Sequence, residues 1–225
     1  MHGPKSEIRN PKSRIQLVVF DLGGVLIRLA SSWRDAFEHA GVAYPAAMDE
    51  EPTRTRLREL VHLEEPGKLG VYGFFEQAGP LVGITPEQLV QVSDAYLRGA
   101  FPGVETLLDD LAAAPVQTAC LSNTNHNHWK DLANPDHPNG LPLQLLDYRF
   151  ASQLIGHRKP DAGIYQHLEE NTGIEPNNIL FFDDRQDNIQ AAALRGWNTH
   201  RVEHPTDTVP EIRSVLQQYN VPLAT

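Results

Sequence analysis

An α/β fold on a doubly wound parallel sheet, with a small helical insertion, is what this sequence predicts, and three observations carry the prediction. Short apolar runs at residues 17–20, 116–121, 179–182 and 197–202 alternate with stretches of helical periodicity, which implies parallel strands joined by right-handed crossovers. The first three of these runs end in polar signatures, at the edge where open α/β sheets bind ligands. Between residues 28 and 101 the spacing is helical, with no strand signal.

Taken in order, Leu17, Val18, Val19 and Phe20 make an unbroken apolar strand, buried on both faces and stopped by Asp21 and the Gly23-Gly24 pair. Trp33, Ala36, Phe37 and Ala40 fall at i, i+3, i+4 and i+7 and predict a helix ended by Gly41. Leu57, Leu60 and Val61 predict a second, ending near Glu65-Pro66-Gly67. Val71, Phe74, Phe75 and Ala78 predict a third, closed by Gly79-Pro80. The fourth opens on a capping box, with Thr85 as N-cap, Pro86 in the first position and Gln88 at N3, and is ended by Gly99. Later helices follow from Val104, Leu107, Leu108 and Leu111, from residues 161–171 and 186–195, and from Val209, Ile212, Leu216 and Tyr219, with a further short strand at 149–152. The division this implies is a polar, flexible tail over 1–14, an α/β core over 15–27 and 102–225, and a helical cap over 28–101.

A net charge of −10 argues against a nucleic-acid or anionic-membrane partner, so an anionic substrate needs a local positive focus or a metal. Cys120 is the single cysteine, which rules out an internal disulfide and, in a strand-like run, reads as a small buried hydrophobe. No apolar run approaches the roughly 18 residues of a membrane span, and the first 14 residues lack a signal peptide's apolar centre. The expectation is a cytoplasmic protein, monomeric or homodimeric.

A parallel sheet gathers its strand ends at one edge, so Asp21, Ser122, Lys159, Asp183 and Asp184 are expected to converge although far apart in the chain. Crowded carboxylates repel unless a hard cation sits between them, and Mg2+ takes oxygens from one or two carboxylates and substrate phosphate. An anionic Asp21 could then attack a phosphate to give an aspartyl-phosphate that water hydrolyses. Ser122 and neighbouring N–H groups suit a phosphate oxygen, and Lys159 is the point charge that holds it in line. Plainer uses exist, as helix caps for Ser122, Asp183 and Asp184 and as a surface lysine for Lys159. They would have to place four polar signatures in a workable order by accident.

His126 and His128 lie in a loop-like stretch with no Cys or carboxylate at ligand spacing, and are expected at the rim or in a substrate pocket rather than on zinc. His62, Glu64 and Glu65 are expected as a solvated helix end, with reach to the substrate as the lesser alternative.

FDLGG, LSNT, RKP and FFDD, in that order, resemble the four motifs of the haloacid dehalogenase (HAD) superfamily, and the inserted helices resemble the small cap of its subfamily I. The resemblance covers the chain from Ile15 onward and implies a Rossmann-like core. Within it the sequence is most similar to bacterial phosphatases of the α-D-glucose-1-phosphate phosphatase type, through RKPDAGIYQH and FFDDRQDNI. The resemblance implies Asp21 as nucleophile and metal ligand, the Gly23 backbone carbonyl as a second ligand, Asp184 as a direct ligand and Asp183 as holder of metal-bound water. It implies phosphate contacts from Ser122, Asn123 and Lys159.

One position departs from the pattern: Gly23 stands where most such phosphatases carry a second aspartate as general acid and base, a group worth on the order of 10²–10⁴ in rate. Its absence leads to the expectation that aryl and anomeric sugar phosphates react better than simple alkyl phosphates. The expected function is a Mg2+-dependent phosphatase of a small phosphorylated metabolite, a sugar phosphate among the candidates. The alternatives are a 2-haloacid dehalogenase-type hydrolase, against which the tandem Asp183-Asp184 speaks, and a catalytically weak binding module.

Overall fold

In the computed structural model, which describes residues 14–203 and 206–223, the chain enters β1 (Leu17–Phe20), turns through a tight loop into β2 (Ile27–Leu29) and then builds four helices. These are α1 (Trp33–His39), α2 (Glu51–Glu64), α3 (Gly73–Val82) and α4 (Pro86–Asp94). Strand β3 (Leu97–Ala100) leads back out to α5 (Val104–Ala112), β4 (Gln117–Ser122), α6 (His126–Leu132), β5 (Tyr148–Ala151) and α7 (Ser152–Ile155). The chain closes with α8 (Ala162–Thr172), β6 (Ile179–Asp183), α9 (Gln186–Leu194), β7 (Asn198–Arg201) and α10 (Val209–Gln218). The tail expected over 1–14 lies, but for Arg14, outside the described residues.

Five strands form one parallel sheet in the order β5-β4-β1-β6-β7, which puts the most apolar run at the centre. Side chains alternate across a strand, so β1 feeds two cores at once. Val18 and Phe20 pack on one face with α5 and α10, and Leu17 and Val19 on the other with α8 and α9. Phe20 stacks on Phe182 at 5.4 Å, while Tyr165, Phe181 and Trp197 meet edge to face on the opposite side. Cys120 lies fully buried, and burial pushes its thiol up to about 12, as befits an inert packing residue. Among the described residues no helix is long and apolar enough to cross a membrane.

Several expectations need correction. The stretch 28–101 is not free of strands: β2 and β3 pair antiparallel across the helical segment, Ile27 opposite Ala100 and Leu29 opposite Leu97. Strands of three and four residues, one containing Gly99, carry no period-two pattern, and their stability comes from pairing between distant parts of the chain. The third helix runs through Gly79-Pro80 to Val82 and ends at Gly83, whose φ of 83° suits a left-handed cap. Pro80 lies inside this helix, where it has no N–H to offer the Glu76 carbonyl. Residues 126–132 form a helix rather than a loop, capped by the Asn125 side chain accepting from the His128 N–H.

The four helices between β2 and β3 have apolar clusters of their own. Ala36, Phe37, Met48, Val82 and Val92 make one, and Leu60, Phe74, Phe75, Ala78 and Leu89 the other. The capping box at Thr85 and Gln88 forms as expected, but the helix it opens ends at Asp94 with Ala95 as C-cap, and Gly99, expected to end it, lies in β3.

Candidate active site

Asp21 follows directly on β1, with its N–H donating to the Phe182 carbonyl at 2.8 Å, so the sheet itself fixes where its side chain starts. The chain must then reverse, and it does so through Gly24 at φ 73°. Here only glycine serves for a second reason: a Cβ at 24 would lie 2.8 Å from an Asp184 oxygen. The carboxylate of Asp184 thus reaches the strand-one loop because nothing stands at that position.

Lys159 is completely buried, and its ammonium lies 2.9 Å from Asp21 Oδ1 and 2.7 Å from Asp183 Oδ2. Burial alone would strip the charge from such a lysine, but the two carboxylates outweigh that cost and hold its pKa above the ordinary value. Asp183, the last residue of β6, is saturated with donors: besides Lys159 it accepts from the Arg185 N–H and from the Asn188 amide. Asp21 Oδ1 accepts from the Leu22 N–H at 2.7 Å as well as facing Lys159, and among the described residues no such contact is made to Oδ2. Burial raises the pKa of Asp21, with Asp183 and Asp184 adding to it against Lys159; Asp184 is raised by burial and by Asp183.

The strand ends converge as expected. One oxygen each from Asp21, Asp183 and Asp184 can be chosen with all three within 4.8 Å of one another. Three carboxylates so close, two of them with raised pKa, form the donor set that a hard divalent cation neutralises, and the residues fit Mg2+. Ser122 ends β4, buried beside them. The Asn123 side chain braces the lysine: its amide donates to the Lys159 carbonyl at 2.8 Å and its Oδ1 accepts the Lys159 N–H at 2.7 Å. That two-point clamp fixes the main chain from which the lysine side chain starts. Asp21, Gly23, Ser122, Asn123, Lys159 and Asp184 all line one cleft of about 390 Å³.

The helical segment supplies the cleft's other lining. Glu64 and Glu65, at the end of α2, do not form the solvated helix end that the sequence suggests: Glu64 is 7% exposed and lines the cleft, and Glu65 forms an ion pair with Arg158 of the core. The signal for Glu64 is its register, seven residues after Leu57 and four after Leu60 on the buried stripe of α2. His128 also lines the cleft, as expected of a pocket histidine, with Nε2 against the Ser93 hydroxyl and carbonyl of α4. Burial lowers its pKa. Asn125, Asn188 and Arg158 have no role assigned from sequence, and the partner of Arg158, Glu65, is one that only folding brings near.

A family model described as haloacid dehalogenase-like hydrolase matches residues 15–196. The chain is 29% identical over 211 residues to a D-ribitol-5-phosphate phosphatase of Bacteroides thetaiotaomicron, covering 90% of this chain and 98% of that one. It is 24% identical to acyl-CoA dehydrogenase family member 10 of Mus musculus, spanning 88% of this chain but only 19% of that protein. Among solved structures, a HAD family enzyme of Bacteroides thetaiotaomicron in complex with magnesium and inorganic phosphate superposes with a TM-score of 0.70 at 24% identity, covering 84% of this chain and 94% of that one.

Proposed function

Because the chain belongs to the haloacid dehalogenase-like hydrolases, we propose that it is a Mg2+-dependent phosphatase of a small phosphorylated metabolite, acting through an aspartyl-phosphate on Asp21. A sugar phosphate is among the candidate substrates. The observation that carries this reading is the Lys159 ammonium held between Asp21 and Asp183 at the tips of two adjacent strands. Support also comes from a relative named as a sugar-alcohol phosphate phosphatase and from a structural neighbour holding magnesium and phosphate.

The roles follow from the contacts. With Oδ1 engaged by Leu22 and Lys159, Oδ2 of Asp21 is the attacking atom. Its attack on phosphorus breaks the bond to the leaving oxygen; water then attacks phosphorus, breaks the bond to Asp21 and releases phosphate. Lys159 and Ser122 hold the transferring group, and Asn123, its side chain committed to Lys159, contributes through its main chain. Asp21, Asp184 and the Gly23 carbonyl would hold Mg2+ directly and Asp183 through water. Bound there, the ion supplies neutralisation of the charge shared by the carboxylates and the phosphate. In this reading residues 28–101 are a cap over a core of 15–27 and 102–225, and the cap keeps bulk water from the phosphorylated aspartate.

The test is phosphate release from a panel of sugar and nucleotide phosphates, with Mg2+ or EDTA, beside Asp21→Asn. Turnover that needs Mg2+ and disappears in the variant is expected. Activity surviving in Asp21→Asn removes the proposed nucleophile.

A further inference from the structure

Helix α2 buries one stripe of side chains, Thr53, Leu60 and Glu64, and the last is a carboxylic acid where the pattern begun by Leu57, Leu60 and Val61 leads to another apolar residue. The position is hostile to charge. Glu64 sits in the last turn of its helix, at the negative end of the helix dipole, and its sequence neighbour is another carboxylate. Arg158, a cation that reaches this helix end, is taken by Glu65. The Asn125 side-chain amide, on the same cleft, favours the charged form of Glu64 without outweighing those effects. Burial, and then Glu65, push the Glu64 carboxyl up to about 8, against the pull of that amide. At neutral pH the group is therefore a neutral acid, able to donate one hydrogen bond and to accept others, as the Asn125 amide also can.

Both groups line the cleft that contains Asp21, and so do the apolar side chains of Trp33, Val61 and Phe74. A surface with donor-acceptor groups on one part and aromatic or aliphatic faces on another matches a chain or ring of carbons bearing hydroxyl groups. It offers a simple alkyl or aryl group nothing for the polar part, whose desolvation would then go unrewarded. We infer that Glu64, together with Asn125, selects phosphate esters whose leaving group carries hydroxyl groups, by hydrogen bonding one of those hydroxyls from the helical side of the cleft. This inference rests on the phosphatase reading above and assigns Glu64 a part in specificity, not in breaking the ester bond. Two competing occupants have their own chemistry. A cationic leaving group would be drawn to an ionised Glu64, and a large apolar one would extend past Trp33, Val61 and Phe74 into the second cavity, of about 490 Å³, that these three also line.

The experiment measures kcat/KM of the full-length protein with Mg2+ on three primary alkyl esters, glycerol 1-phosphate, propyl phosphate and ethanolamine phosphate, for wild type, Glu64→Leu and Glu64→Gln. Wild type is expected to prefer the glycerol ester. In Glu64→Leu the ratio of glycerol to propyl ester should fall about ten- to a hundred-fold, the range set by leaving a hydroxyl unpaired in an apolar site. Glu64→Gln, which keeps shape and hydrogen-bonding capacity, should recover part of it. An unchanged ratio in Glu64→Leu overturns the inference, as does a wild type that prefers the propyl or the ethanolamine ester. That wild-type ranking decides the matter if the leucine variant does not fold. Hydrolysis of none of the three overturns this inference, and the phosphatase reading falls with it only if the sugar and nucleotide panel is not hydrolysed either, whereas loss of all turnover in Asp21→Asn with an unmoved ratio in Glu64→Leu overturns the inference alone.

Discussion

Lys159 and Glu64 are both buried ionisable side chains on one cleft, yet the fold treats them in opposite ways. Lys159 comes from the loop that follows the parallel sheet's edge and lies between two carboxylates, so its charge is retained at full burial. Glu64 comes from the inserted helices and lies beside another carboxylate, so its charge is lost. A buried charge survives only where partners repay its desolvation, and a buried acid without such partners remains as a neutral hydrogen-bonding group. On the proposed reading, the core side of the cleft holds phosphate charge and the helical side reads shape and hydroxyls.

This contrast can be broken first at Lys159. Lys159→Met leaves Asp21 and Asp183 buried without their cation, and a loss of about 3–5 kcal/mol in unfolding free energy is expected in EDTA, the usual result of removing one partner of a buried pair. Added Mg2+ should narrow that gap in denaturant titrations, since a cation can replace the ammonium between the carboxylates. An unchanged midpoint in EDTA would show that the pair carries no net electrostatic load.

The next effect concerns Glu64 and pH. Its pKa of about 8 in the folded protein lies above the ordinary value of 4.5, so the unfolded chain ionises first as pH rises. The stability contributed by the neutral form is complete below about pH 4.5 and is lost progressively up to about pH 8. Glu64→Gln has no such loss. Its stability relative to wild type should therefore grow between pH 5 and pH 8, by up to roughly 1.4 kcal/mol per pH unit, and level off above. Paired denaturation curves at pH 5, 6.5, 8 and 9 read this directly, and parallel curves would place the Glu64 carboxyl in water. The smallest effect is expected at Glu65→Ala, where the ion pair with Arg158 is partly exposed: a midpoint change below about 1 kcal/mol.

The core is legible in the sequence because its elements are local and its signatures are punctuated. An apolar run ended by Asp21, or by Asp183 and Asp184, announces a strand end, and the parallel sheet then obliges those ends to meet. The helical side is less legible. Glu64 and Glu65 look like a solvated helix end in one dimension, and only the docking of α2 against Asn125 and Arg158 makes one a buried acid and the other a strut. The β2–β3 pair leaves no trace in the local pattern for the same reason, being held by partners far apart in the chain. Asn123 reads from sequence as a phosphate contact, and its clamp on the Lys159 main chain is likewise visible only once β4 and the loop before α8 are side by side.

What the sequence by itself determined, then, is the α/β order, the motifs and the identity of the charged groups, since periodicity and punctuation are properties of neighbours along the chain. Which of those charges keep their ionised form was decided by the tertiary structure alone, because desolvation and pairing depend on what lies within a few ångströms in space. Lys159 and Glu64 show both outcomes in a single cleft.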